Sequence, residues 1–193
     1  MLQHYFYQYL PYKYMYLCQG DNRQKQVNNF VFAFKDGNKS AIIATANILI
    51  NYLVNKYHRS ITDYTIVFAP ASSQSSYNKR FAYLATMLER RLKTQTSYHN
   101  LHIQGQRTAL HNGGSHIVCE DAYNVALDES FFKGRKCIIF DDLITTGQTA
   151  AQFTDKVKSV GAEVIEELFL ARTIHYNPYT FEGAIKELNN KQR

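Results

Sequence analysis

Residues 136–149 read KCIIFDDLITTGQT, and no other stretch limits the fold as strongly. Residues 137–140 are apolar without alternation, the pattern of a strand buried on both faces, which belongs to a parallel sheet covered by helices. Asp141 and Asp142 follow at once. After Leu143 and Ile144 come Thr145, Thr146, Gly147, Gln148 and Thr149 at the start of a helical pattern. Strand, polar turn and helix in that order place all the polar chemistry beyond the carboxyl end of a strand, where open α/β sheets bind ligands.

The residue types narrow the ligand. Thr-Thr-Gly offers consecutive backbone N–H groups on a turn that glycine lets approach closely, and the helix start adds unpaired donors and a positive dipole end. A phosphate fits such a cradle. Two adjacent carboxylates beside it would repel an anion unless they met hydroxyls or a metal-bound ligand. A ribose diol meets that condition, so the set as a whole spells a phosphorylated ribose, with a divalent cation if a pyrophosphate is also attached. The glycine-lysine pair of a Walker loop is missing. The bland alternative, an ordinary strand-to-helix cap built from Asp and Thr, does not account for the whole ordered set.

The rest of the chain alternates helix and strand. Val27, Phe30, Val31 and Phe34 recur at helical spacing before Gly37, and a longer amphipathic stripe runs from Ala41 to Tyr57. Residues 64–69 read as a buried strand bounded by Pro70, and Phe81, Leu84, Ala85, Leu88 and Leu92 mark the next helix. Residues 93–115, rich in Thr, Gln, His, Asn and Gly, read as a long loop or β-excursion. A short strand near 123–127, a helix over 147–160 ended by Gly161 and a strand over 164–170 complete the pattern. The expected fold is α/β: a three-layer, mainly parallel sheet with helices on both faces.

Composition sets the outer limits. With 193 residues, 45% hydrophobic and 20% charged, the chain suits one packed domain over residues 1–193 and not a disordered polymer. Cys18, Cys119 and Cys137 form no Cys-x-x-Cys spacing, so reduced thiols and a cytoplasmic setting are expected. No unbroken apolar stretch reaches membrane-spanning length. The net charge of +6 favours anionic partners. Basic residues are scattered, without the runs of a dedicated nucleic-acid module, which argues against nucleic acid as the main ligand. His99, His102, His111 and His116 lack the acidic spacing of a metal site and read as loop residues.

The DDLITTGQT segment resembles the phosphoribosyl pyrophosphate (PRPP) motif of type I phosphoribosyltransferases, and the chain is most similar to their ComF-like competence branch. Shorter likenesses occur in the family's order. They are Phe34-Lys35-Asp36-Gly37 at the entry to the first long helix, Ala69-Pro70 with Tyr77-Asn78 and Leu84-Ala85 around the pyrophosphate loop, Asn124-Val125, Lys133-Gly134-Arg135-Lys136 and Leu170-Ala171-Arg172-Thr173.

The resemblance implies a small N-terminal hood or helical extension over residues 1–37, a core over 38–175 and a C-terminal extension over 176–193. It implies displacement of pyrophosphate from PRPP by an acceptor base, with Mg²⁺ carried by PRPP and no direct protein ligand assigned. Asp141 and Asp142 would act on the ribose and Thr145, Thr146, Gly147, Gln148 and Thr149 on its phosphate. Within residues 69–76, Ala71, Ser72 and Ser73 would face the pyrophosphate, joined by Lys79 and Arg80, with Arg107 as a lid cation. Ser75-Ser76 replaces the Arg-Gly pair usual in the branch, so a non-catalytic PRPP-sensing protein linked to DNA uptake stands beside the enzyme. The acceptor is not legible. The N-terminal tyrosines suit core packing, a homodimer contact or a platform for a base.

Overall fold

A computed structural model describes residues 2–18, 22–103 and 125–174. Their order is β1 (Leu2–Tyr9), a 3₁₀ turn (Tyr12–Cys18), α1 (Asn22–Lys35), α2 (Lys39–Tyr57), a second 3₁₀ turn (His58–Asp63), β2 (Tyr64–Phe68) and α3 (Gln74–Leu92). Then come β3 (Gln95–Thr96), β4 (Leu101–Ile103), β5 (Val125–Leu127), α4 (Glu129–Phe132), β6 (Lys136–Ile144), α5 (Gln148–Ser159) and β7 (Glu163–Thr173). Five strands form one sheet in the order β1-β7-β6-β2-β3, with every pair parallel, and β4 and β5 form a separate antiparallel pair.

The connections decide where the helices lie. The chain runs from β2 through α3 outward to β3, and from β6 through α5 outward in the opposite direction to β7. Right-handed crossovers leading in opposite directions put α3 and α5 on opposite faces. Thus the fold is the expected three-layer α/β arrangement. The direction of winding reverses between β2 and β6, which makes the crevice beyond their carboxyl ends the sheet's switch point.

Local signals explain the helix boundaries. Asn38 caps α2 by accepting the Ala41 N–H at 3.1 Å, and Ser73 caps α3 by accepting the Ser76 N–H at 3.1 Å. Gly37, at φ +75°, takes the left-handed turn after α1, with its N–H bonded to Phe34 O at 3.0 Å. Phe34, Phe68, Phe81 and Phe140 are completely buried and meet beneath the switch point. The Phe68 and Phe81 rings stack at 4.8 Å, and the Phe34 and Phe140 rings meet edge-on at 6.0 Å. This aromatic cluster fixes α1 and α3 against β2 and β6.

Two segments depart from the sequence pattern, and a third follows the second of its two readings. Leu2–Tyr9 is an edge strand of the main sheet, and Val31 and Phe34 of α1 belong to the core, so this part of the 1–37 segment is built into the domain. Strands at 95–96 and 101–103 lie within the span read as a loop or β-excursion. β6 continues through both aspartates to Ile144, because parallel pairing with β7 extends to Ile144↔Arg172. No described helix is long and apolar enough to cross a membrane.

Candidate functional site

Asp141 and Asp142 are consecutive residues of β6, and successive strand residues face opposite sides of the sheet. Asp142 faces α1 and α3. It is 5% exposed, its Oδ2 accepts from Arg80 Nη1 at 2.8 Å, and Lys35 Nζ stands 3.6 Å from Oδ1. Arg80 also donates from Nε to the Lys35 carbonyl at 3.1 Å. The end of α1 and the second turn of α3 are thereby tied to one carboxylate. A buried carboxylate held by a hydrogen-bonded guanidinium satisfies the desolvation rule for buried charge.

Asp141 has a different environment. Its Oδ1 accepts the Asp142 N–H at 2.7 Å, which leaves Oδ2 for a ligand. Burial, and then the charge of Asp142, raise its carboxyl well above the ordinary carboxylate range against the weaker pull of Lys35 and Arg80. Two neighbouring carboxylates are therefore set apart by environment, one paired with cations and one biased toward its protonated form. A ribose hydroxyl or a ligand-borne cation would suit the second. Among the described residues no three His, Cys, Asp or Glu side chains gather as a metal-binding group.

Beyond β6, Thr145 and Thr146 are exposed on the turn, and Gly147 at φ +82° caps α5 with no side-chain hydrogen bond. Only glycine reaches that conformation without strain. The helix begins with the Ala151 N–H on the Gly147 carbonyl at 2.9 Å, while the Gln148 N–H donates to Thr146 Oγ1 at 3.5 Å. Thr145, Thr146, Gly147 and Gln148 also line a cleft of about 560 Å³, together with Gln3, Tyr5, Phe169 and Arg172.

The remaining sequence candidates are placed unevenly. Residues 69–73 join β2 to α3 on the other side of the switch point, and the Ala69 N–H extends the ladder to Phe140 O at 2.9 Å. Ala71 is buried and Ser72 is exposed. The Ser73 hydroxyl is spent as the α3 cap, and Gln74, Ser75 and Ser76 lie in the helix instead of the loop. Arg80 reaches the site through Asp142. Lys79 is exposed, with its stem and carbonyl packed beside Gly37. Thr149 lies in the first turn of α5. Arg107, His111, His116, Cys119 and the lid segment around them lie outside the described residues.

Sequence reasoning did not name Lys35, Gln3 or Arg172 as site residues, and it left Tyr5 among the N-terminal tyrosines that suit core packing, a homodimer contact or a platform for a base. Lys35 had a signal, the Lys-x-Gly spacing at the end of a helix. Tyr5 and Arg172 come together only because β1 pairs with β7, with the guanidinium 5.6 Å from the ring centre. Cys137 is buried beneath the site and its thiol is pushed up to about 12 by burial, so it is no nucleophile.

No family model matches the chain. Over 50 residues the chain is 42% identical to an adenine phosphoribosyltransferase of Thermosipho africanus (strain TCF52B), a stretch that covers 26% of this chain and 29% of that relative. Among solved structures, an adenine phosphoribosyltransferase is similar with a TM-score of 0.47 and 17% identity, over 70% of this chain and 71% of that one. An orotate phosphoribosyltransferase from Aeropyrum pernix gives 0.40 and 15%, over 70% and 65%.

Proposed function

We propose that this chain is a phosphoribosyltransferase that binds PRPP with Mg²⁺ and transfers its phosphoribosyl group to a nitrogenous base. One observation carries the reading: Asp141, Asp142 and the Thr145–Thr149 turn stand together at the carboxyl end of β6, beside the β2–α3 loop, where the sheet reverses its winding. The partial likeness to an adenine phosphoribosyltransferase supports it.

In this reading the turn and the α5 N-terminus hold the ribose phosphate, and Asp141 and Asp142 meet the ribose hydroxyls. The bond from the anomeric carbon to pyrophosphate breaks, a bond to a base nitrogen forms, and the nitrogen's proton passes to solvent. Mg²⁺ bound to the pyrophosphate would neutralise charge on the leaving group. The chain's contribution is to hold the anomeric carbon aligned for the attacking nitrogen and to set backbone donors against the charge of the phosphates.

A second reading, a ComF-like PRPP sensor without catalysis, is favoured by two observations. Ser75 and Ser76 replace the branch's Arg-Gly pair, and the nearby Arg80 is engaged by Asp142. Calorimetric titration of Mg²⁺ and PRPP into the wild type and Asp142→Asn tests both. Magnesium-dependent binding that weakens at least tenfold in the variant, with thermal melting verifying that the variant is folded, is the expected result. Binding without base-dependent pyrophosphate release across a panel of bases would select the sensor. No binding to the folded wild type would end both readings.

A further inference from the structure

The cleft beside the phosphate cradle is lined by two chemically distinct groups of residues. Thr145, Thr146 and Gly147 supply small polar groups and backbone N–H donors. Tyr5 supplies an aromatic face beside the exposed guanidinium of Arg172. Among the described residues no carboxylate lines this cleft and no salt bridge engages Arg172. Gln3 is oriented by donating from Nε2 to buried Glu167 at 2.6 Å, and Thr154 of α5 also donates to Glu167. Gln148 contributes a second amide to the lining.

A volume of about 560 Å³ exceeds what a phosphate fills and is in the range of small-molecule sites. A flat ring seated beside Tyr5 and Arg172 would meet only donors from the guanidinium, whose planar fork matches two acceptors in a row. The O6/N7 edge of a 6-oxopurine offers that pair, whereas the exocyclic amine of adenine turns a donor toward the guanidinium. Gln148 could serve an amino base, since amides pair with an amine and ring nitrogen. Charge-assisted bonds are about twice as strong as neutral ones, so Arg172 outweighs Gln148.

We infer that the part of the cleft at Tyr5 and Arg172 is the acceptor site, and that it selects a 6-oxopurine over a purine bearing only an amino group. This rests on the phosphoribosyltransferase reading and deepens it. It also sets the chain apart from the adenine enzymes it partly resembles.

The test measures Mg²⁺- and PRPP-dependent pyrophosphate release by the full chain with hypoxanthine, guanine, uracil and adenine, in the wild type, Arg172→Gln and Tyr5→Leu. PRPP affinity is measured separately by calorimetry. The expected result is preference for hypoxanthine or guanine over adenine and uracil, and a loss of about 10- to 100-fold in kcat/KM for the preferred base in Arg172→Gln, the size of a lost hydrogen bond to a charged group. PRPP affinity should hold within about twofold, and relative use of adenine should rise. Tyr5→Leu should raise KM for every base.

Adenine preference in the wild type, or equal loss of PRPP affinity and turnover in Arg172→Gln, would overturn the inference. The second outcome would place Arg172 on the ribose phosphate and leave the transferase reading intact. Absence of PRPP binding to the folded wild type would remove both.

Discussion

Adjacent residues of one strand can be given different surroundings by the alternation of the backbone. Asp142 points to the helices that carry Lys35 and Arg80, while Asp141 points away from them and feels burial together with its neighbour's charge. Its folded-state pKa therefore lies above the 3.8 of an ordinary aspartate. Between those two values the folded protein holds a proton that the unfolded chain has released. The contribution of this group to stability is thus full below about pH 3.8 and is lost as pH rises through the folded value. Asp141→Asn keeps the neutral form at every pH. It should melt higher than the wild type at pH 8, with the difference shrinking toward pH 4, as followed by circular dichroism. A difference that grew on acidification would mean that Lys35 and Arg80 dominate this carboxyl. The doubled aspartate was visible in the sequence. Its division of labour was not, because it depends on which helices cover each face.

Helix ends matter most at the scale of elements, because α1 reaches the site through its C-terminus and α3 through its second turn. Gly37 closes α1 at φ +75°, and a Cβ there would lie 2.9 Å from the Lys79 carbonyl oxygen of α3. Gly134 adopts φ +74° with nothing within 4 Å of its hypothetical Cβ. Both alanine variants suffer the left-handed backbone cost of about 1–2 kcal/mol, but only Gly37→Ala must also push α1 and α3 apart. Urea denaturation should show Gly37→Ala as clearly the more destabilised of the two. Equal losses would mean that the α1–α3 contact yields freely. The helices were legible from 3.6-residue periodicity and from Gly37, yet the start of α3 was not. The run Ser72-Ser73-Gln74-Ser75-Ser76 contains four candidate cap residues, and only the packing of Tyr77 and Phe81 into the core chooses Ser73.

For the whole molecule, the sheet's outer half is pinned by a polar contact beneath α2. Glu166 of β7 is completely buried and accepts from Lys56 Nζ, Tyr52 Oη and Tyr57 Oη, each at 2.6 Å. Burial, reinforced by the bond to Glu166, lifts the Tyr57 hydroxyl far above its ordinary value, so it remains a donor throughout the physiological range. Removing one member of a buried ion pair strands the other charge, at a cost of about 3–5 kcal/mol. Because the Lys56 side chain is 30% exposed, water can partly solvate Glu166, and Lys56→Met should fall at or below the low end. Lys56→Met with Glu166→Leu should recover most of that loss in chemical denaturation. A double variant no better than the single one would show that the tyrosine hydroxyls need the carboxylate more than the carboxylate needs lysine. The residues of this network come from β7 and α2, 109 to 114 positions apart in the chain.

Apolar runs, helical periodicity and turn chemistry are local properties, so the sequence by itself determined the α/β class, the central strand with its two aspartates, and the glycine turn at the start of α5. Everything that depends on which strand lies beside which waited for the tertiary structure. Pairing of the tyrosine-rich β1 with β7 brings Tyr5 to Arg172, although 167 positions separate them, and opposite crossovers from β2 and β6 create the crevice in which the candidate site sits. The tyrosines of residues 5–9 could have served as core, contact surface or ligand platform. Strand pairing is non-local, and hydrophobic pattern within one segment carries no label for its partner.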